Sequence, residues 1–201
     1  MPRLFTAIEI PGQVAFSLAM MRGGLPGARW IDQENYHVTL RFIGDTDHRT
    51  ADEIVNALAR TSRRQFSLRL NGLNAFGGNK PHSIHACVEP SSALVELQSE
   101  QERIMQRIGL KAESRKFTPH VTLARLRGTK GNAKGSDVAN WLALRGSFST
   151  TPFSVDRFVL LSSRDSVGGG PYVTEEVFDL GLRNNETPSV RARLNPPVFV
   201  P

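Results

Sequence analysis

The sequence predicts an α+β fold assembled from two similar halves, and three observations carry that reading. The tetrapeptide HVTL occurs twice, at 37–40 and 120–123. Each copy lies in the same order of elements: strand, helix, HVTL strand, helix, strand. The spacing from the first strand to the motif is close to equal in the two halves. A duplication of this kind gives two lobes related by a pseudo-twofold axis within one bilobal domain, residues 1–182.

"RLFTAIEI" (3–10), rich in Phe and Ile, reads as a buried strand. Pro11 suits a helix entry, and Val14, Leu18 and Met21 recur at helical spacing until Gly23 and Gly24 end the run. The strand "YHVTLRFI" follows. Thr50 to Ala59 is helical, with Ile54, Val55 and Leu58 on one face, and "FSLRLNGL" (66–73) alternates like a half-buried strand. The second half repeats the order. "SIHACVE" (83–89) is a strand, and Leu94, Leu97, Ile104 and Ile108 stripe a helix over Ser91 to Ile108. "HVTLARL", a helix from Asp137 to Leu144, and strands at 153–162 and 172–180 complete it. Three stretches fall outside the pattern. The Gly- and Lys-rich segment 127–137 reads as a mobile loop, "VGGGPY" (167–172) as a wide turn, and 183–201, full of breakers, as a flexible tail.

Hydrophobic residues at 39% and charged residues at 22% fit a soluble globular protein. No apolar run approaches the ~20 residues that span a bilayer. The start lacks the charged and apolar regions of a signal peptide. Cys87 is the only cysteine, which excludes an intrachain disulfide and metal sites built from Cys clusters, and fits a reducing cytoplasm. A formal charge of +6 favours anionic partners such as phosphates or nucleic acid.

A strand sends alternate side chains to opposite faces. In each HVTL, therefore, His and Thr share one face while Val and Leu pack into the core. A lone strand histidine is usually structural. Two copies of one tetrapeptide in matching contexts are a different matter, because chance from this composition supplies about 0.002 per chain. Paired lobes can bring His37 with Thr39 and His120 with Thr122 to one cleft. One imidazole can then accept a proton while the other donates one, and the hydroxyls suit non-bridging phosphate oxygens. That pairing fits in-line attack at phosphorus. His82 and His85 form an HxxH pair, but strand alternation points them to opposite faces, against a zinc site.

With these residues in view, the chain resembles the two-histidine (2H) phosphoesterase superfamily. "RLFTAIEIPG", "NYHVTLRFIG", "FTPHVTLARL" and the late "GGGPYVTEEVF" resemble its bacterial and archaeal RNA 2′,3′-cyclic phosphodiesterases, historically called 2′-5′ RNA ligases. The resemblance covers residues 3 to about 182. It implies a bilobal fold with two antiparallel sheets around a central cleft and helices on the outer faces. It also implies hydrolysis of RNA or nucleotide 2′,3′-cyclic phosphate ends to 2′-phosphomonoesters, with no metal and no cofactor. By the same resemblance His37 is the proton donor and His120 the proton acceptor. Thr39 and Thr122 hold phosphate oxygens, Arg125 adds a fixed positive charge, and Phe42 stacks a nucleobase. Alternation points Phe42 into the core instead, and puts Arg41 on the His37 face, to meet phosphate or form a surface salt bridge. The implied partner is RNA with a cyclic phosphate terminus or a small cyclic nucleotide, bound by a cytoplasmic monomer. Ligation in the reverse direction, or nucleotide binding without turnover, are the alternatives.

Overall fold

The computed structural model describes residues 3–126, 135–163 and 170–181. The 183–201 tail, most of the 127–137 loop and residues 167–169 of the expected wide turn lie outside the described residues.

The elements run β1 (Arg3–Glu9), α1 (Gly12–Ala19), β2 (Arg29–Trp30), a 3-10 turn (Gln33–Asn35), β3 (His37–Asp45), α2 (His48–Leu58), β4 (Phe66–Leu68) and β5 (Leu70–Phe76). They continue through β6 (Ser83–Val88), α3 (Ser92–Arg107), β7 (His120–Arg125), α4 (Gly135–Arg145), β8 (Phe153–Val155), β9 (Arg157–Ser163) and β10 (Tyr172–Asp179). Local chemistry sets several boundaries. Asp47 accepts from the Thr50 N–H at 2.8 Å and caps α2, so that helix starts at His48 rather than Thr50. Ser91 caps α3 in the same way through the Leu94 N–H.

The architecture is α+β, with one large antiparallel sheet ordered β10-β9-β1-β3-β7-β6-β5 and a smaller β4-β8 pair. Within the large sheet, the strands of the two halves are joined edge to edge. The joint is a seam between β3 and β7, at the register pair Val38 and Val121. β2 takes the rest of that β7 edge, pairing Trp30 with Ala124. The main core lies on the helical side of the sheet and includes Val38, Leu40, Val121 and Leu123 of the two motifs. A smaller cluster of Phe5, Ala7, Val159 and Leu161 packs on the opposite side, with Tyr172 and Val177 against it.

Two expected strands are each divided. "FSLRLNGL" leaves the β4-β8 sheet at Arg69 and enters the large sheet as β5. Arg69 holds the crossing by donating to the Thr150 carbonyl at 2.9 Å and to Ser149 Oγ at 2.8 Å. The 153–162 stretch divides at Asp156, whose carbonyl accepts from the Leu180 N–H.

Candidate active site

The seam dictates the geometry of the site. With Val38 opposite Val121 in an antiparallel pair, one step along each strand sets His37 beside Thr122 and Thr39 beside His120. The two histidines are then diagonal neighbours across the seam. Both are half-buried. The apolar Val and Leu of each motif are buried on the helical side, as alternation requires.

Each half then departs from alternation in the same way. Ala7 pairs with Thr39 but Thr6 with Arg41, so Leu40 is an extra residue in β3. His85 pairs with Thr122 but Ile84 with Ala124, so Leu123 is extra in β7. A bulge at the leucine of HVTL reverses the facing of everything after it. The fifth residue after each histidine therefore returns to the histidine face: Phe42 in one half, Arg125 in the other. Phe42 is 44% exposed and stacks on Phe5 at 5.4 Å and 16°, so the expectation that it enters the core is corrected.

The same bulge turns Arg41 away from the histidines. It is 7% exposed and its Nε lies 2.5 Å from Glu102 Oε2 on α3, as a charge contact rather than a well-aligned hydrogen bond. Its guanidinium also donates to the carbonyls of Phe42 and Lys111. Neither the phosphate contact nor the surface salt bridge expected for Arg41 describes this buried pair.

The histidines are anchored alike. His37 Nδ1 lies 2.7 Å from the Asn35 carbonyl, and His120 Nδ1 lies 2.7 Å from the Thr118 carbonyl. A carbonyl only accepts, so Nδ1 carries the proton in each neutral ring. Nε2 is left with its lone pair as a base, or with a proton to give when the ring is charged. Burial pushes His37 down from 6.5 to about 4; the Asn35 carbonyl opposes this, while His120 and Arg125 charges add to it. His120 is lowered as well, by burial first, against the Thr118 carbonyl and with Arg125 adding. Arg125 thus acts electrostatically on both rings.

Around these matched anchors the walls differ. His37 meets Phe5 at 5.2 Å and Tyr172 edge-on at 5.1 Å. His120 meets Phe76 edge-on at 4.8 Å and His85 at 5.2 Å. Asn35 also accepts the Tyr172 N–H through Oδ1 at 3.2 Å, which ties β10 to the His37 anchor. Gly170, just before it, has φ +90°, and a Cβ there would lie 2.3 Å from the Asn35 side chain. A side chain at 170 therefore meets both backbone strain and the Asn35 side chain.

Sequence reading had missed Asn35, Phe5, Phe76, His85 and Tyr172 as site residues. The one available signal is "GGGPY", which reads as a turn and as part of a motif shared with the family, with no site residue assigned in it. The HxxH pair also needs revision. His82 precedes β6, so alternation does not govern it, and both His82 and His85 lie parallel to Phe76, at 6.4 and 4.0 Å. Among the described residues, no group of three or more His, Cys, Asp and Glu side chains is placed to hold a metal ion. Cys87 is opposite His120 in register, and burial raises its thiol, which keeps it protonated. Elsewhere, a cavity of about 400 Å³ opens between α2 and α3, lined by Arg60, Arg63, Arg103 and Arg107. It contains none of the residues above, and Arg63 there is paired with Glu96 and Glu100. Among the described residues, no helix is long and apolar enough to cross a membrane.

A family model described as the 2′-5′ RNA ligase superfamily matches residues 21–166, which include both HVTL strands. The chain belongs to the 2′-5′ RNA ligase superfamily. Within this superfamily, a protein of Aeropyrum pernix named RNA 2′,3′-cyclic phosphodiesterase is 37% identical over 109 residues, 53% of this chain and 61% of that one. One of the same name from Geobacillus stearothermophilus is 30% identical over 128 residues, 60% of this chain and 41% of that one. The chain thus spans 61% and 41% of the length of these two curated relatives. Among solved structures, TT0787 of Thermus thermophilus superposes with a TM-score of 0.72 at 22% identity, over 90% of this chain and all of that one. That superposition shows the superfamily fold.

Proposed function

We propose that the protein hydrolyses 2′,3′-cyclic phosphate ends of RNA or nucleotides to 2′-phosphomonoesters, by two-histidine acid–base catalysis without a metal. One observation carries the reading: two half-sites on one face of one sheet, each with its imidazole locked through Nδ1 and its Nε2 left for chemistry. The names of the curated relatives agree with it.

In the reaction, His120 Nε2 takes a proton from water as the water oxygen bonds to phosphorus. The P–O3′ bond breaks in line, and protonated His37 gives its Nε2 proton to the departing O3′. The phosphate stays on O2′. Thr39 and Thr122 donate to the non-bridging oxygens, and Arg125 holds the charge that develops on them. Phe42, backed by Phe5, offers a face on which the terminal base stacks. The site is built within one chain, so a monomer suffices, and a lone Cys87 fits a reducing cytoplasm.

Incubation with 2′,3′-cyclic AMP in EDTA is expected to yield 2′-AMP and no 3′-AMP. A strict metal requirement, or 3′-AMP as product, overturns the reading. Ligation competes only if an RNA 5′-hydroxyl takes the water's place, so hydrolysis dominates in dilute substrate. Gly170→Ala is expected to displace Asn35 and with it the His37 ring, lowering kcat by about 10²-fold. Unchanged kcat in that variant would show that Asn35 does not set the His37 position.

A further inference from the structure

The two half-sites differ at one matching position. In β1, Ala7 lies opposite Thr39, whereas in β6 His85 lies opposite Thr122, each just before its bulge. His85 therefore faces the same way as His120 and Thr122. Its ring stacks on Phe76 at 4.0 Å and 18°, and it meets the His120 ring at 5.2 Å and 67°. Phe76 also touches His120, so that imidazole leans on a wall of two parallel rings.

The ring of His85 serves here as a buried wall and not as a hydrogen-bonding group. His85 is 4% exposed, and its Nδ1 is sealed with no hydrogen-bond partner. Leaving a buried polar atom unpaired costs about 1–3 kcal/mol, a penalty that phenylalanine would avoid. An orphaned lone pair is tolerated better than an orphaned N–H, so the neutral ring carries its proton on Nε2. Burial, then the charge of His120, holds His85 down at about 4, which leaves it neutral near pH 7. The titratable and charged groups around it in register are His120 and Arg125 on β7, Cys87 two residues along β6, and His82 in the turn before β6. From β5 come Phe76 and Asn74, both uncharged.

We propose that His85 is a positioning residue for His120: its uncharged ring, backed by Phe76, fixes the angle of the His120 imidazole and keeps water from its flank. This rests on the reading of His120 as proton acceptor. A base shielded in this way stays deprotonated into mildly acidic solution, and its Nε2 keeps a constant direction toward the phosphate. His85 itself exchanges no proton with the substrate.

The test uses the full chain with His85→Ala, His85→Phe and His85→Gln. It follows the His120 ring by NMR titration and kcat and KM with 2′,3′-cyclic AMP. In the Ala variant, water reaches His120, and its titration is expected to move up toward 6.5 by about half a pH unit or more. Its kcat is expected to fall about 10²-fold while KM stays within about twofold. The Phe variant restores the wall and is expected to keep the wild-type titration and kcat within about threefold. The Gln variant, polar but without a ring, should behave like Ala. An unmoved His120 titration in a folded Ala or Gln variant overturns the proposal, whatever happens to melting temperature. If the wild type shows no turnover, the phosphodiesterase reading fails, while the titration still decides the role of His85.

Discussion

His37→Ala and His120→Ala are each expected to lose about 10³-fold or more in kcat toward 2′,3′-cyclic AMP, since general acid–base groups contribute about 10²–10⁴-fold. Affinity for the product 2′-AMP should stay within about threefold, because in the proposed site Thr39, Thr122 and Arg125 remain to bind the phosphate. The double variant should lose little more than either single one, since two groups serving one proton-transfer sequence are not additive. Arg125→Ala behaves differently. In the proposed reaction its guanidinium meets a charge present in ground and transition states alike, so both affinity and turnover should fall, by about tenfold or more. Isothermal titration with 2′-AMP beside single-turnover kinetics separates these cases. Wild-type turnover in either histidine variant contradicts the assignment.

Arg41→Ala is expected to cost stability and leave catalysis alone. The Arg41–Glu102 pair is buried on the helical side of the sheet, with side chains 7% and 17% exposed. Removing one member strands the other charge, which costs about 3 kcal/mol at the lower end of the range for buried pairs. For a chain of this size that corresponds to about 6–12 °C in melting temperature. The pair also supports the approach to β7: Arg41 donates to the Lys111 carbonyl, and Glu102 accepts the Glu113 N–H at 3.0 Å. KM should nevertheless remain unchanged, because the bulge at Leu40 has turned Arg41 from the histidine face. A variant that melts normally but shows a tenfold higher KM would place Arg41 at the substrate instead. Arg41→Ala with Glu102→Leu should recover much of the loss, since no charge is then left unpaired.

These expectations show which parts of the fold were legible in the residues alone. Periodicity and the repeated tetrapeptide located His37, Thr39, His120 and Thr122 and put each pair on one face, because alternation is a local property of a strand. The bulges were hidden, since Leu40 and Leu123 occupy apolar positions in sequence as in structure. Only comparison of the fifth residue after each histidine could have hinted at them, and there one copy has Phe and the other Arg. The breaks at Arg69 and Asp156 carry no Gly or Pro to mark them. His85, Phe76 and Tyr172 join the site through sheet order and register, which depend on strands far apart in the chain. The GGGPY motif was visible, yet the need for glycine at 170 depended on the side chain of Asn35, which nothing local identifies.

The central claim is that one imidazole gives a proton while the other takes one across a single phosphodiester, and the pH dependence of kcat/KM tests it most directly. Both rings titrate below 6.5 in the free protein, His37 at about 4. Activity requires one proton shared between the pair. It must fall at low pH, when both rings are charged, and again at higher pH, when both are neutral. A bell with its maximum below pH 6.5 is therefore expected for 2′,3′-cyclic AMP in EDTA. The kcat profile should extend to higher pH, because the bound phosphate anion raises the donor's pKa. A flat kcat/KM between about pH 5 and 8 would contradict the two-histidine account.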